Sequence, residues 1–317
     1  MRTCDIAIIG CGPAGLSAAI QLRRMGDSPL VFEAFRVGGL LLNANLVENY
    51  PGFPKGIGGP ELVSRMREHL EHHSPEVILE EVTRLDIAGV GSDSDGASGS
   101  ESDLRTSSGA GGFQIRTCQR DIHCRIVLIA SGTKARQPDG LFIPDDVSGQ
   151  VFSEVYPIMH VQGKRIAIVG SGDAAFDYAL NLAGKNRVSI LNRSRTARCL
   201  PLLRDRAAGI DSIEYHDRTL PVGLKNLRNS VIEVECETPG GRISIEADYV
   251  LLAIGREPRL DFITDRLSEG MEGLQRSGVL HLIGDVGRGM MRQTAIATGD
   301  GVRAAMEAHK KLMELRA

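Results

Sequence analysis

Tryptophan is absent from the 317 residues and aromatic side chains make up only 4% of them, so no stacking platform for nucleic-acid bases is on offer. Positive charge is not in excess either. The formal net charge is −3, where a nucleic-acid-binding domain would carry a basic face. No apolar run reaches the roughly 18 residues that span a bilayer, and no basic-then-apolar leader precedes the first strand. The expectation is a cytoplasmic protein with neither nucleic acid nor a membrane among its partners. Six cysteines are present, Cys4, Cys11, Cys118, Cys124, Cys199 and Cys236, yet no two form a C-x-x-C. That excludes a thioredoxin-like redox pair and a zinc ribbon, and leaves reduced, scattered thiols as the default. His69, His72 and His73 have metal-like spacing, but no acidic or cysteine cluster accompanies them. A solvated helix end is expected there, and no metal.

What is present is repetition. A chain of 317 residues exceeds a single core, which predicts two domains. CDIAIIG (4–10) is a short apolar run bounded by glycine, as a buried parallel strand should be. GPAGLSAAIQLRRMG (12–26) then has a helix-forming composition with a stop at Gly26, and SPLVFEA (28–34) supplies the next strand. GPELVSRMREHLEHH (59–73) predicts an amphipathic helix with Leu62, Met66, His69, Leu70 and His73 on one stripe. The stretches 77–88 and 111–132 are strand-like. Between them, 89–112 is nearly all Gly, Ser, Asp and Ala, too poor in apolar surface to order itself and expected to be an elongated loop at the tip of a β-meander. Cys118 and Cys124 flank a turn at 119–121 and would face one another across a hairpin, with nothing to direct them at a cofactor. A second strand–helix–strand follows in KRIAIVG (164–170), GDAAFDYALNLAG (172–184) and RVSILNR (187–193). Strands at 230–237 and 247–255, a strand at 280–287 and a helix over 293–316 complete the pattern. Two such units predict an α/β fold of two doubly wound, Rossmann-like domains.

Both units carry a glycine turn. In the first, Gly10 allows the tight turn, Gly12 lets the backbone approach a pyrophosphate, and Gly15 permits close helix packing. Pro13 and Ala14 open the helix whose N-terminus would hold the anion. Glu33, at the end of the second strand, can bind ribose hydroxyls. Cys11 lies in this turn, where its backbone rather than its sulfur is expected to be used. The second turn is Gly170, Ser171, Gly172, Asp173 and Ala174. Here no acid ends the second strand; Arg193, Arg195 and Arg198 stand there instead, three guanidinium groups suited to a 2′-phosphate that a carboxylate would repel. The other reading is a solvated basic loop. An unphosphorylated dinucleotide at the first turn and NADPH at the second point to a flavoenzyme with FAD.

With these residues in view, the chain resembles the low-molecular-weight thioredoxin reductases, nearly end to end. VENYPGFP (47–54) resembles their flavin-side loop, with Asn49 at the position that contacts FAD. IVLIASGT (126–133) and YVLLAIG (249–255) resemble their strands that return to the cofactors. Gly284–Asp285 with Arg292, Gln293 and Thr294 resembles their C-terminal FAD segment. The resemblance also places Gly39, Leu40, Val82, Ala130 and Gly132 at FAD and Gly255 at NADPH. It implies an FAD domain of residues 1–139 and 256–317, interrupted by an NADPH domain at 140–255, and a homodimer.

The departures from the family carry more information. Its redox-active C-x-x-C falls on Ser153, Glu154, Val155 and Tyr156, and its following acid falls on Pro157. A serine and a phenol cannot cycle through a disulfide. Leu40 replaces a polar residue, Asn192 replaces the first basic residue of the phosphate motif, and the last helix lacks the extension that covers the flavin in related ferredoxin–NADP reductases. The expected function is therefore an FAD-dependent NADPH oxidoreductase that passes electrons from the flavin directly to an acceptor. That acceptor is a small redox protein such as ferredoxin or flavodoxin, or a small quinone-like compound. A cofactor-binding sensor or partner protein with little turnover remains the reading from another class. Tyr156 and His160, near the vacated disulfide, either line the acceptor site or pack between domains.

Overall fold

The computed structural model describes residues 2–89, 111–227 and 230–317. The expected loop 89–112 falls almost wholly outside them. In chain order, β1 (Arg2–Ile9), α1 (Pro13–Arg24), β2 (Leu30–Phe32), α2 (Gly59–His73) and β3 (Glu76–Ile78) come first. A meander of β4 (Val82–Ile87), β5 (Phe113–Thr117) and β6 (Asp121–Ile129) follows, and β7 (Thr133–Ala135) leaves it. Next come β8 (Val151–Phe152), β9 (Arg165–Val169), α3 (Asp173–Leu182), β10 (Arg187–Leu191), α4 (Pro201–Ala208) and β11 (Ile213–His216). They are followed by β12 (Leu220–Asn226), β13 (Ile232–Thr238), β14 (Gly241–Ala247) and β15 (Tyr249–Leu252). The chain ends with β16 (Arg256–Pro258), α5 (Asp265–Arg276), β17 (Leu280–Leu282) and α6 (Thr294–Arg316).

β1 is apolar on both faces because both are covered, as in a doubly wound fold. It lies parallel between β2 and β6, with β3 beyond β2 and β17 beside the second half of β6. Ile6, Ile8, Ile126 and Leu128 face one cluster with α1, α2 and α6; Ala7, Ile9, Val127 and Ile129 face another with the meander and α5. The first half of β6 pairs antiparallel with β5, and β5 with β4. One nine-residue strand thus pairs with β1 along one edge and with β5 and then β17 along the other.

The second sheet is wholly parallel, in the order β11-β10-β9-β15-β8. Phe176, Ala179 and Leu182 of α3 cover one face. The antiparallel sheet β12-β13-β14 covers the other through Leu224, Ile232, Val234 and Ala247. The two connections between the sheets pair with each other: β7 and β16 run antiparallel, with Thr133 opposite Pro258 and Ala135 opposite Arg256.

The structure corrects several expectations. The strand-like stretch 77–88 divides into two strands: β3 joins the parallel sheet and β4 opens the meander. The buried stripe of α2 is Leu62, Val63, Met66 and Leu70; His69 is exposed. Cys118 sits exposed in the β5–β6 turn, while the buried Cys124 has Cys4 as its register partner, so the two do not face each other. α4, α5, β11, β12 and β14 were not anticipated. β14 is an edge strand with mostly exposed side chains, which weakens its alternation, whereas α5 does carry an apolar stripe, Leu267, Met271 and Leu274, that packs on the second core and was passed over in the sequence.

No helix among the described residues is long and apolar enough to cross a membrane.

Candidate functional site

Below the first glycine turn lies a cavity of about 630 Å³. Gly10 turns the chain with φ of 104°. A side chain there would also stand 2.3 Å from the Ala130 carbonyl oxygen. Gly15 lies beneath the turn, where a Cβ would meet the Gly10 oxygen at 1.9 Å, so it sets the approach of α1. Gly12 faces open space and caps α1 with no side-chain hydrogen bond. Together with Pro13 and Ala14 it lines the cavity, presenting uncapped N–H groups and the positive end of the helix dipole to whatever binds.

The Glu33 side chain closes this wall. It is buried and accepts hydrogen bonds from the Cys11 N–H at 2.8 Å, the Phe35 N–H at 2.9 Å and the Arg36 N–H at 3.2 Å. Gly39, Leu40, Val82, Ala130 and Gly132 also line the cavity. Asp285 approaches from the turn after β17, and Arg292, Gln293 and Thr294 from the start of α6. Asn49 does not line the cavity but donates to the Gln293 Oε1 at 2.7 Å. Arg292 donates to the Arg256 carbonyl at 3.1 Å, while its Nε is buried without a partner. Burial raises the Asp285 pKa, against the opposing pull of Arg292 and Arg256. An open glycine at an uncapped helix start, a ribose-length carboxylate and an orphaned guanidinium N–H together suit an extended anionic dinucleotide.

The wall from the other half of the molecule is built by the 153–157 segment. Glu154, Tyr156 and Pro157 line the cavity; Ser153 does not. The Tyr156 N–H donates to Asn43 Oδ1 at 2.9 Å, and the Asn43 amide donates to Glu154 Oε2 at 3.4 Å. Arg256 reaches the other Glu154 oxygen at 3.4 Å. The Arg36 guanidinium lies over the Tyr156 ring. His160 is exposed and away from the cavity. Among the described residues no cysteine lines the cavity, and the nearby Cys11 thiol is pushed up to about 12 by burial and by Glu33.

At the second turn Gly170 has φ of 132°, and a Cβ would meet the Ala253 oxygen at 2.3 Å. Gly172 faces open space and caps α3 without a side-chain bond. Asp173 is drawn aside, its carboxylate accepting from the Leu200 N–H at 2.8 Å, and Ala174 is exposed. Asn192 is the hub of this turn. Its Oδ1 accepts from the Ser171 hydroxyl and the Ser194 N–H at 2.9 Å each, and its amide donates to the Tyr215 hydroxyl at 2.7 Å. The Arg198 N–H bonds the Ser171 carbonyl at 2.9 Å, folding the basic loop over the glycines. Arg193, Arg195 and Arg198 are exposed and make no ion pair among the described residues. Gly255, with φ of 109°, lies where the chain crosses back beside Arg136. None of these residues lines the first cavity. The described residues hold no group of three or more His, Cys, Asp or Glu able to bind a metal.

Sequence reasoning did not find Asn43, Arg36, Glu154 or Arg256 as site residues. They come together only through the β15–β8 and β7–β16 pairings.

The family model for pyridine nucleotide-disulphide oxidoreductases matches residues 4–279. The chain belongs to that family. Among its curated relatives is the NADPH-dependent thioredoxin reductase 3 of Arabidopsis thaliana, 28% identical across 97% of this chain and 58% of that protein. The chain thus spans little more than half the plant relative's length. The thioredoxin reductase of Streptomyces coelicolor is 29% identical across 98% of this chain and 94% of its own. The thioredoxin reductase of Lactococcus lactis superposes with a TM-score of 0.79 at 24% identity, covering 98% of this chain and 99% of that one. This likeness fixes the fold of the family member as two Rossmann-like units.

Proposed function

We propose that the protein is an FAD-dependent NADPH oxidoreductase that delivers electrons from the flavin to an acceptor without a disulfide relay. The observation that carries this reading is the segment Ser153-Glu154-Val155-Tyr156: it forms a wall of the large cavity and offers no thiol to it. FAD would lie in that cavity, with its diphosphate on the turn Gly10–Gly15, its ribose on Glu33, and its ribityl chain near Asp285. The backbone of 292–294 would lie against the ring. NADPH would lie on the turn Gly170–Ala174, its 2′-phosphate held by Arg193, Arg195 and Arg198. The FAD unit would comprise 1–139 and 256–317 and the inserted NADPH unit 140–255, a division supported by the pairing of β7 with β16 at the two crossings.

Bound there, FAD would supply the redox chemistry, hydride acceptance with one- or two-electron release. The chain's own residues bind, orient and shield. Tyr156 and Pro157 screen the cavity from water, and Arg256 and Asn43 hold Glu154 in place. An acceptor that reacts at the flavin edge fits a wall without thiols: a one-electron carrier protein of the ferredoxin or flavodoxin kind, or a small quinone-like compound. A homodimer is expected from the family likeness.

The test is anaerobic mixing of the yellow protein with NADPH while the flavin absorbance is followed. Bleaching, then recovery on adding a carrier or a quinone, is the expected result. A flavin that stays oxidised at saturating NADPH would leave a cofactor-binding protein without turnover.

A further inference from the structure

Cys4 on β1 and Cys124 on β6 are register partners in the parallel sheet. Their side chains therefore leave the same face from backbones about 4.8 Å apart. That separation lies within the Cα range that a disulfide bridges. No other two cysteines are register partners among the described residues. Cys124 is buried and Cys4 half-buried, both in the cluster that includes Phe113 and Ile122. One thiol is thus open to a reagent and the other is sheltered behind it.

The charges around the pair divide the labour. The Cys124 thiol, aided by Arg2 and opposed by burial, Asp5 and Glu76, lowers the Cys4 pKa. Burial, with Cys4 beside it, holds Cys124 well above the ordinary thiol value. A half-exposed, more acidic thiol beside a second thiol is the arrangement of a redox-responsive cysteine with its resolving partner.

We propose that Cys4 and Cys124 form a reversible dithiol–disulfide pair that exchanges with low-molecular-weight disulfides, Cys4 attacking and Cys124 resolving. The Cys4 thiolate attacks one sulfur of the external disulfide, forming a mixed disulfide and expelling one thiolate. Cys124, on losing its proton, attacks the Cys4 sulfur and expels the second. Two protein thiols are oxidised, one external disulfide is reduced, and both protons end on the released thiols. The pair is no substitute for a flavin relay. Cys4 precedes Gly10 by six residues, about 20 Å along an extended strand.

The test treats the native holoprotein with oxidised glutathione, followed by acid quench, alkylation and digestion without reductant. The Cys4 and Cys124 peptides are expected as one linked species, two hydrogens lighter than their sum and separable by dithiothreitol. In C124S the Cys4 peptide should instead carry one glutathione, and in C4S Cys124 should remain a free thiol. No linkage in the native wild type while Cys118 takes up glutathione would overturn the proposal. So would linkage that appears only once circular dichroism shows the fold lost, and an unmodified Cys4 in C124S would remove its role as the attacking thiol.

Discussion

The Arg36 guanidinium lies 4.6 Å from the centroid of the Tyr156 ring. Arg36 follows Glu33 at the end of the first unit's second strand, and Tyr156 lies in the segment that the family resemblance aligns with the relay cysteines. The contact closes one wall of the large cavity with a cation and an aromatic face, which in the proposed reading stand in place of a disulfide. Replacing Tyr156 by Ala removes that stack and part of the packing against the first core, an expected loss of about 1–2 kcal/mol. Denaturant unfolding of the holoprotein measures it. Y156F, which keeps the ring, should lose less than half as much.

Glu33 accepts three backbone N–H groups inside a buried wall. E33A strands those donors at about 1–3 kcal/mol apiece at most. The purified variant should carry much less flavin, read as the ratio of visible to ultraviolet absorbance, while E33Q should retain more of it. Equal flavin content in E33A and the wild type would contradict the ribose assignment.

Both glycine turns were legible because each packs its information locally: a strand, a turn that only glycine fits, and a helix start, all within about 20 residues. The structure bears this out at Gly10 and Gly170, where backbone oxygens leave no room for a Cβ. The wall made by Asn43, Glu154, Tyr156 and Arg256 was not legible in that way. Asn43 and Glu154 are 111 positions apart, and only the parallel addition of β8 to β15 brings the 153–157 segment to the cavity. The hub residue Asn192 stood out in the sequence only as a departure from the family's phosphate motif, where it replaces a basic residue. In the structure its buried amide ties the Ser171 hydroxyl, the Ser194 N–H and the Tyr215 hydroxyl together, a role that depends on the ends of three neighbouring strands, β9, β10 and β11.

Arg193 and Arg198 project from the second turn without ion-pair partners among the described residues. Removing either should raise the KM for NADPH roughly 10- to 100-fold, the worth of one charge-assisted hydrogen bond, and leave NADH nearly unchanged. Steady-state kinetics with both nucleotides checks this. Equal losses for the two would place the 2′-phosphate elsewhere.

Asp177 on α3 is partly buried where the two halves meet and accepts the Asn45 N–H at 2.9 Å. Burial is the first cause that raises its pKa to about 6, against hydrogen bonds from Asn45 and Leu46 and with some help from Asp173. The native pKa lies above the unfolded value, so the native state holds the extra proton between roughly pH 4 and 6. The contribution of this group to stability is full below that window and is lost as pH rises through 6. Across the window the wild type should lose about 2–3 kcal/mol relative to D177N, whose amide does not titrate. Parallel unfolding curves at pH 4.5 and 7.5 measure the difference, and a pH-independent gap would contradict the burial of this carboxyl.

The central claim is that electrons leave the flavin without passing through protein thiols. Its most direct test is anaerobic stopped-flow reduction by NADPH, followed by mixing with a one-electron carrier protein or a quinone. Native protein is compared with protein whose accessible thiols have been alkylated. Flavin bleaching and reoxidation at the same rates in both samples are predicted. Bleaching that is followed by acceptor reduction only in the unalkylated sample would show that a thiol carries the electrons after all.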